Sequence, residues 1–286
     1  MDMNNYMERS TVLVEALPYI QTYYGKTVVI KYGGNAMISE DLRNAVISDI
    51  ILLNLVGVRV VMVHGGGPDI GDMLKRVGKQ SRFVDGLRYT DKETMEIVQQ
   101  VLCGKVNKRL VSIINNLGGK AVGLCGLDGA LFQAKKLDDK YGLVGKIEKV
   151  CPQVVHDCLE KNYIPVISTV ALGIDDDTAY NINADTAAAE LAIALHAEKL
   201  ILLTDVRGVL RDPKDENTLI RQIRLDEVPS LLSSGVIGGG MIPKIDCCVN
   251  ALKNGVQRTH ILDGRIPHSI LTEMLSHQGV GTMLWV

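Results

Sequence analysis

Six short aliphatic runs constrain the fold most strongly: Thr27–Lys31, Arg59–His64, Ala121–Cys125, Ile164–Ser168, Leu200–Thr204 and Thr259–Leu262. The first, second and fifth are nearly all apolar, as parallel strands buried on both faces must be. Helical patterns separate the runs, over Asp41–Val56, Asp69–Val77, Lys92–Leu117, Cys151–Lys161, Ala184–His196, Val228–Ser234 and Lys244–Gly255. This alternation predicts an α/β fold, with a mostly parallel central sheet sandwiched by helices. The less regular stretch Leu131–Lys149 reads as hairpin strands at a sheet edge. Leu172–Tyr180 is polar, turn-rich and without periodicity, which marks the expected junction of two lobes. The chain then divides into residues 1–24, an N-lobe over 25–176 and a C-lobe over 177–286.

The first segment is an amphipathic helix preceding the first strand. Met3, Tyr6, Met7, Leu13, Val14, Leu17, Ile20 and Tyr24 fall at spacings of three and four, with Ser10 the polar exception and a bend expected at Pro18. The pattern leaves two partners open for that face, the helix's own lobe or another subunit.

A chain of 286 residues that is 47% hydrophobic can bury a sizeable core. Its 31 Lys and Arg against 33 Asp and Glu leave a net charge of -2, so nothing calls for nucleic acid or an anionic membrane. The cysteines at 103, 125, 151, 158, 247 and 248 form no C-x-x-C pair and no zinc-spaced cluster, and read as free thiols. The polar, acidic N-terminus does not resemble a signal peptide, and the apolar runs are too short to span a bilayer. A cytoplasmic location is expected.

Four glycine- or polar-rich turns stand where chemistry is expected. In open α/β sheets ligands bind beyond the carboxyl ends of strands. Lys31-Tyr32-Gly33-Gly34-Asn35 and His64-Gly65-Gly66-Gly67-Pro68 both follow strands, and glycines there let backbone N–H groups approach a phosphate. The plain alternative for Lys31 is a surface lysine in an ordinary turn, and for His64 a loop hydrogen bond. Asn181-Ile182-Asn183-Ala184-Asp185 precedes an alanine-rich helix. One N-cap explains one of its polar side chains, not three. Gly238-Gly239-Gly240-Met241-Ile242-Pro243-Lys244 puts a lysine at a helix start, against the macrodipole, unless an anion binds there. Arg88 in Gly86-Leu87-Arg88-Tyr89-Thr90 can present its fork to a carboxylate. The sequence has no G-x-x-x-x-G-K-[ST], and Gly65, Gly67 and Gly71 miss the G-x-G-x-x-G spacing, which disfavours P-loop enzymes and dinucleotide-binding oxidoreductases.

Taken in order, KYGGNAM, VHGGGPDI, GLRYT, YNINADTAAAE, LLTDVRGVL and GGGMIPK resemble the motifs of acetylglutamate kinases, within the amino-acid kinase family. The resemblance runs from about Gly25 to the C-terminus and implies the amino-acid kinase fold. It implies transfer of the γ-phosphoryl of ATP, with Mg²⁺, to the γ-carboxylate of N-acetyl-L-glutamate, a step in arginine biosynthesis. Lys31 and Lys244 would stabilise the transferring group and Asp185 would hold both. Gly33, Gly34, Gly66 and Gly67 would donate backbone hydrogen bonds, while Arg88 and Asn181 would bind acetylglutamate. Thr204, Asp205, Val206, Arg207, Gly208, Val209 and Gly238 would lie near the nucleotide, with no metal held by side chains. In arginine-inhibited members a helix like this one interlaces dimers into a hexameric trimer of dimers. Lys199, His268, Glu273 and Gly279 would then line an arginine site, each with a plain alternative as a solvated or turn residue. A signalling partner of the P-II type, bound by some members, stays open. Arg207 and Leu127 depart from the family pattern, and Arg207 bears on nucleotide contacts. The alternatives are another enzyme of the family, or a catalytically inactive sensor of arginine or nucleotide.

Overall fold

The computed structural model describes residues 3–34, 39–277 and 279–286. The strands are β1 (Thr27–Tyr32), β2 (Arg59–His64), β3 (Phe83–Val84), β4 (Leu87–Arg88), β5 (Ala121–Gly126), β6 (Phe132–Lys136), β7 (Gly145–Val150), β8 (Ile164–Gly173), β9 (Ala179–Asn181), β10 (Lys199–Thr204), β11 (Gln222–Arg224), β12 (Arg258–Asp263) and β13 (Thr282–Trp285). The helices are α1 (Met3–Tyr23), α2 (Glu40–Leu55), α3 (Gly67–Arg76), α4 (Lys92–Gln99), α5 (Asn107–Asn116), α6 (Gln153–Glu160), α7 (Ala184–Ala194), α8 (Val228–Ser233), α9 (Ile242–Lys253) and α10 (Ser269–Leu275).

One continuous sheet runs β11-β13-β12-β10-β1-β2-β8-β6-β7, with β5 and β9 also pairing β8. β1 lies in its middle, parallel to β2 and to β10, so Lys31 faces Val63 on one side and Leu202 on the other. Successive side chains of β1 split between two apolar clusters. Val29 joins Val61 and the α7 alanines, whereas Val28 and Ile30 join residues of α2, α5 and α10. That is the period of a strand buried on both faces. Ala187, Ala188, Ala189 and Ala192 are fully buried, which lets α7 lie close against the strands.

The parallel sheet agrees with the sequence reading, as does the edge hairpin, realised as antiparallel β6 and β7. Leu172–Tyr180 comprises the ends of β8 and β9 and their turn, an antiparallel hairpin inside the sheet. The single helix expected over Lys92–Leu117 is instead α4 and α5 joined by a π-helical stretch, Gln100–Val106. Leu102 and Val106 of that stretch pack on Gly66, where an added Cβ would lie 2.6 Å from Leu102. Such bulges are frequent beside functional sites.

Along α1, Leu13 is 74% and Val14 68% exposed, so their own lobe does not cover them. Tyr23, outside the expected face, is the buried residue at its end, and Pro18 lies within the helix. The side chains of Met3, Tyr6 and Met7, and all of Asn35, lie outside the described residues. Among those described, no helix is long and apolar enough to cross a membrane.

Candidate active site

Three turns at the carboxyl ends of the central strands converge on one carboxylate. Lys31 comes from the end of β1 and is 8% exposed. Asp185 comes from the first turn of α7, whose N-cap Asn183 accepts from the N–H groups of Asp185 and Thr186 at 2.9 and 3.2 Å. Lys244 comes from the first turn of α9, just after Pro243. Lys31 Nζ lies 2.9 Å from Asp185 Oδ1, and Lys244 Nζ donates to Asp185 Oδ2 at 2.7 Å. Burial would push the Asp185 carboxyl up, but the charges and hydrogen bonds of both lysines hold it below the ordinary carboxylate value.

Glycine keeps the space around Lys31 open: a Cβ on Gly33 would sit 3.3 Å from its Cε and Nζ. Gly34 has φ +70, in the left-handed region that favours glycine. Gly67 opens α3 with Pro68 beside it, so the first N–H groups of that helix have no helical acceptor. His64 holds the base of this turn. Its Nδ1–H donates to the Gly65 carbonyl at 2.8 Å, and its Nε2 accepts from Asn107 at 3.1 Å. Both bonds suit a neutral ring, and burial lowers its pKa to about 4. The plain alternative offered for His64, a loop hydrogen bond, is one of the two bonds it makes.

A cavity of about 310 Å³ opens on one side, lined by Gly65, Gly66, Gly67, Arg88 and Asn181 among apolar walls. Arg88 is 9% exposed, lies against the Phe83 ring and donates to the Gly67 carbonyl at 2.9 Å and to Ser81 Oγ. Asn181 donates to Thr90 Oγ1 at 3.2 Å, and Thr90 donates to the Arg88 carbonyl at 2.8 Å. A second cavity of about 380 Å³ opens on the other side, lined by Thr204, Asp205, Val206, Gly208, Val209, Gly238 and Lys244. Arg207 is not among its lining residues; it pairs with Glu216 at 3.4 Å.

A third cavity, of about 500 Å³, lies at the opposite end of the sheet. Lys199, Glu273 and Gly279 line it, with Tyr19 and Tyr23 from α1. His268 does not line it; its Nδ1 lies 2.6 Å from the buried Asp49 of α2. Lys199 and the Glu273 side chain are buried rather than solvated. Lys199 rests over the Tyr23 ring, 4.6 Å from its centroid. Glu273 accepts from His260 Nδ1 at 2.9 Å and from the N–H of Val280 at 2.8 Å. Against its burial, these partners hold Glu273 at about 2, while burial brings His260 to about 4. Sequence reading missed His260, Tyr23 and Arg221, which donates to the Gly279 carbonyl. The one available signal was a histidine inside an aliphatic strand.

The model of the amino acid kinase family matches residues 26–263, and the chain belongs to that family. Within it the chain groups with the acetylglutamate kinases: it is 59% identical to the acetylglutamate kinase of Clostridium beijerinckii, over 99% of this chain and 100% of that one. The N-acetylglutamate synthase of Neisseria gonorrhoeae, solved with coenzyme A and N-acetyl-glutamate, has a similar structure. It superposes with a TM-score of 0.83 and 26% identity, covering 97% of this chain and 63% of the synthase. The same synthase with coenzyme A and L-arginine gives 0.81 and 25%, over 96% and 65%. The chain thus spans less than two thirds of that synthase.

Proposed function

We propose that this chain transfers the γ-phosphoryl of ATP to the γ-carboxylate of N-acetyl-L-glutamate, forming an acyl phosphate for arginine biosynthesis. One observation carries the reading: Asp185 bridges Lys31 and Lys244 between two cavities. The cavity of Arg88 and Asn181 suits an acidic substrate, with Arg88 taking its α-carboxylate. The cavity of Thr204, Asp205, Val206, Gly208, Val209 and Gly238 takes the nucleotide, whose phosphates reach Lys244.

The acceptor is ionised at neutral pH, so no general base is needed. Catalysis is positioning plus stabilisation of the negative charge that spreads over the transferring group. The two ammonium groups flank that group, and the N–H groups of Gly33, Gly34, Gly66 and Gly67 supply further donors. Asp185 acts as a positioning residue, offsetting the repulsion between a buried and a partly buried cation. Among the described residues no three His, Cys, Asp or Glu side chains form a metal-binding group. Both Asp185 oxygens are engaged by lysines, so the side chains do not fit a Mg²⁺ cage. Any Mg²⁺ would be carried by the ATP phosphates, where it would supply further positive charge.

The third cavity supports feedback inhibition by arginine. Glu273 meets a guanidinium and Lys199 a carboxylate, and the synthase solved with L-arginine shares the fold. The exposed apolar residues of α1 support its packing on another subunit, in a hexamer. The test is ATP-dependent trapping of the product with hydroxylamine. Hydroxamate should form with N-acetyl-L-glutamate. Formation only with aspartate or carbamate would reassign the enzyme within the family, and formation with neither would favour the sensor.

A further inference from the structure

Two thiols that the phosphotransfer does not use meet behind the wall of the acetylglutamate cavity. Cys103 lies on the π-helical stretch Gln100–Val106, and Cys125 lies near the end of β5. Ser168 of β8 joins them: it is the strand partner of Cys125, and its hydroxyl donates to Cys103 Sγ at 3.3 Å. The β5–β8 register breaks immediately after Cys125, so the ladder is already irregular there. Both residues are free thiols, Cys103 half-buried and Cys125 buried. Interaction with Cys125 and the hydrogen bond from Ser168 outweigh burial and hold the Cys103 thiol below its ordinary value, while the Cys103 neighbour and burial push the Cys125 thiol up. A thiol so arranged, with a second thiol against it, has the form of a reactive and resolving pair.

We propose that Cys103 and Cys125 form a reversible disulfide under peroxide, and that this bond alters the acetylglutamate cavity through the π-helical stretch. In the first step the Cys103 thiolate attacks the peroxide. An S–O bond forms and the O–O bond breaks, and the departing hydroxide takes up the thiol proton as water. In the second step the Cys125 sulfur attacks the Cys103 sulfenic acid. The S–S bond forms and the S–O bond breaks, and the second hydroxide leaves as water with the Cys125 proton. Two thiols and one hydrogen peroxide give one disulfide and two waters, with sulfur oxidised and peroxide reduced.

The consequence for the cavity follows from the neighbour of Cys103. Leu102 lines the cavity and packs on Gly66. A disulfide fixes the separation of its two Cα atoms at about 4.4–6.8 Å and the torsion between its sulfurs. Tying the π-helical stretch to β5 therefore constrains Leu102 against Gly66, and with it the wall of the cavity. This consequence rests on the proposed role of the cavity; the bond itself does not.

The test treats the full chain with dilute hydrogen peroxide and maps its peptides without reduction. The expected result is a linked Cys103–Cys125 pair with a mass loss of about 2 Da, reversed by dithiothreitol. The KM for acetylglutamate should rise roughly tenfold with a smaller change in kcat. Cys103→Ser and Cys125→Ala should each keep basal turnover and lose the peroxide effect on KM. A link between other cysteines, Cys103 carried to sulfinate with Cys125 still free, or both thiols left intact would overturn the bond. A Cys103–Cys125 link with unchanged KM would overturn the coupling to the cavity.

Discussion

Two lysines on neighbouring parallel strands, at opposite ends of the sheet, are buried in different ways. Lys31 stands near the carboxyl end of β1 and Lys199 at the amino end of β10, where it pairs in register with Val28. Lys31 meets a carboxylate at 2.9 Å, and that carboxylate also binds Lys244. Lys199 has an aromatic face, and among the described residues no carboxylate lies within ion-pair distance of it. The nearby Glu273 pairs instead with His260 and backbone N–H groups. A buried cation needs compensation. At the carboxyl end the fold supplies it, and the lysine is held in place before any ligand arrives. At the amino end compensation is incomplete, and an anionic group of a ligand would complete it.

The comparison breaks first at the carboxyl end. Lys31→Ala should lower kcat about a hundredfold to ten-thousandfold, by removing charge that acts on the transferring phosphoryl group. Single-turnover kinetics would check this, and unchanged turnover would remove the mechanism. Arg88→Ala should raise the KM for acetylglutamate about a hundredfold with a lesser change in kcat, since its proposed contact is with a part of the substrate that does not react. Initial rates across acetylglutamate concentration separate the two effects.

Acid sharpens the comparison, because each end holds a neutral buried histidine, His64 and His260. Each takes a proton near pH 4 when folded, against about 6.5 when unfolded. Between those values the unfolded chain binds more protons, so stability falls as the pH drops through that window. The slope should approach about 1.4 kcal/mol per pH unit for each ring. Urea unfolding from pH 7.5 to 5 measures it, and His64→Gln and His260→Gln should each remove one share. The smallest effect is expected at Arg207. Its pairing with Glu216 predicts that Arg207→Ala changes the KM for ATP less than about twofold, within the range of an exposed ion pair.

Much of the carboxyl-end site was legible because its parts sit on glycine turns after apolar strands. Lys31, the Gly66–Gly67 turn, Asp185 and Lys244 were each marked by a local pattern, and the fold brings them together. Arg207 shared a motif with Thr204 and Gly208, yet its side chain turns to Glu216, a choice that adjacency in sequence does not determine. The amino-end cavity was less legible. Its walls come from α1, β10, β12 and α10, which are distant in sequence, and no glycine turn announces them. His268 and Glu273 lie on successive turns of one segment, but one faces Asp49 and the other His260. The π-helical stretch escaped notice because periodicity cannot register one inserted residue in a long helix.

The separation of the two ends is tested most directly by titrating arginine against wild type and Lys199→Ala in the hydroxamate assay. The expected result is equal turnover without arginine, with inhibition of wild type and at least about tenfold weaker inhibition of the variant. Loss of basal turnover in Lys199→Ala, or inhibition identical in both proteins, would contradict it.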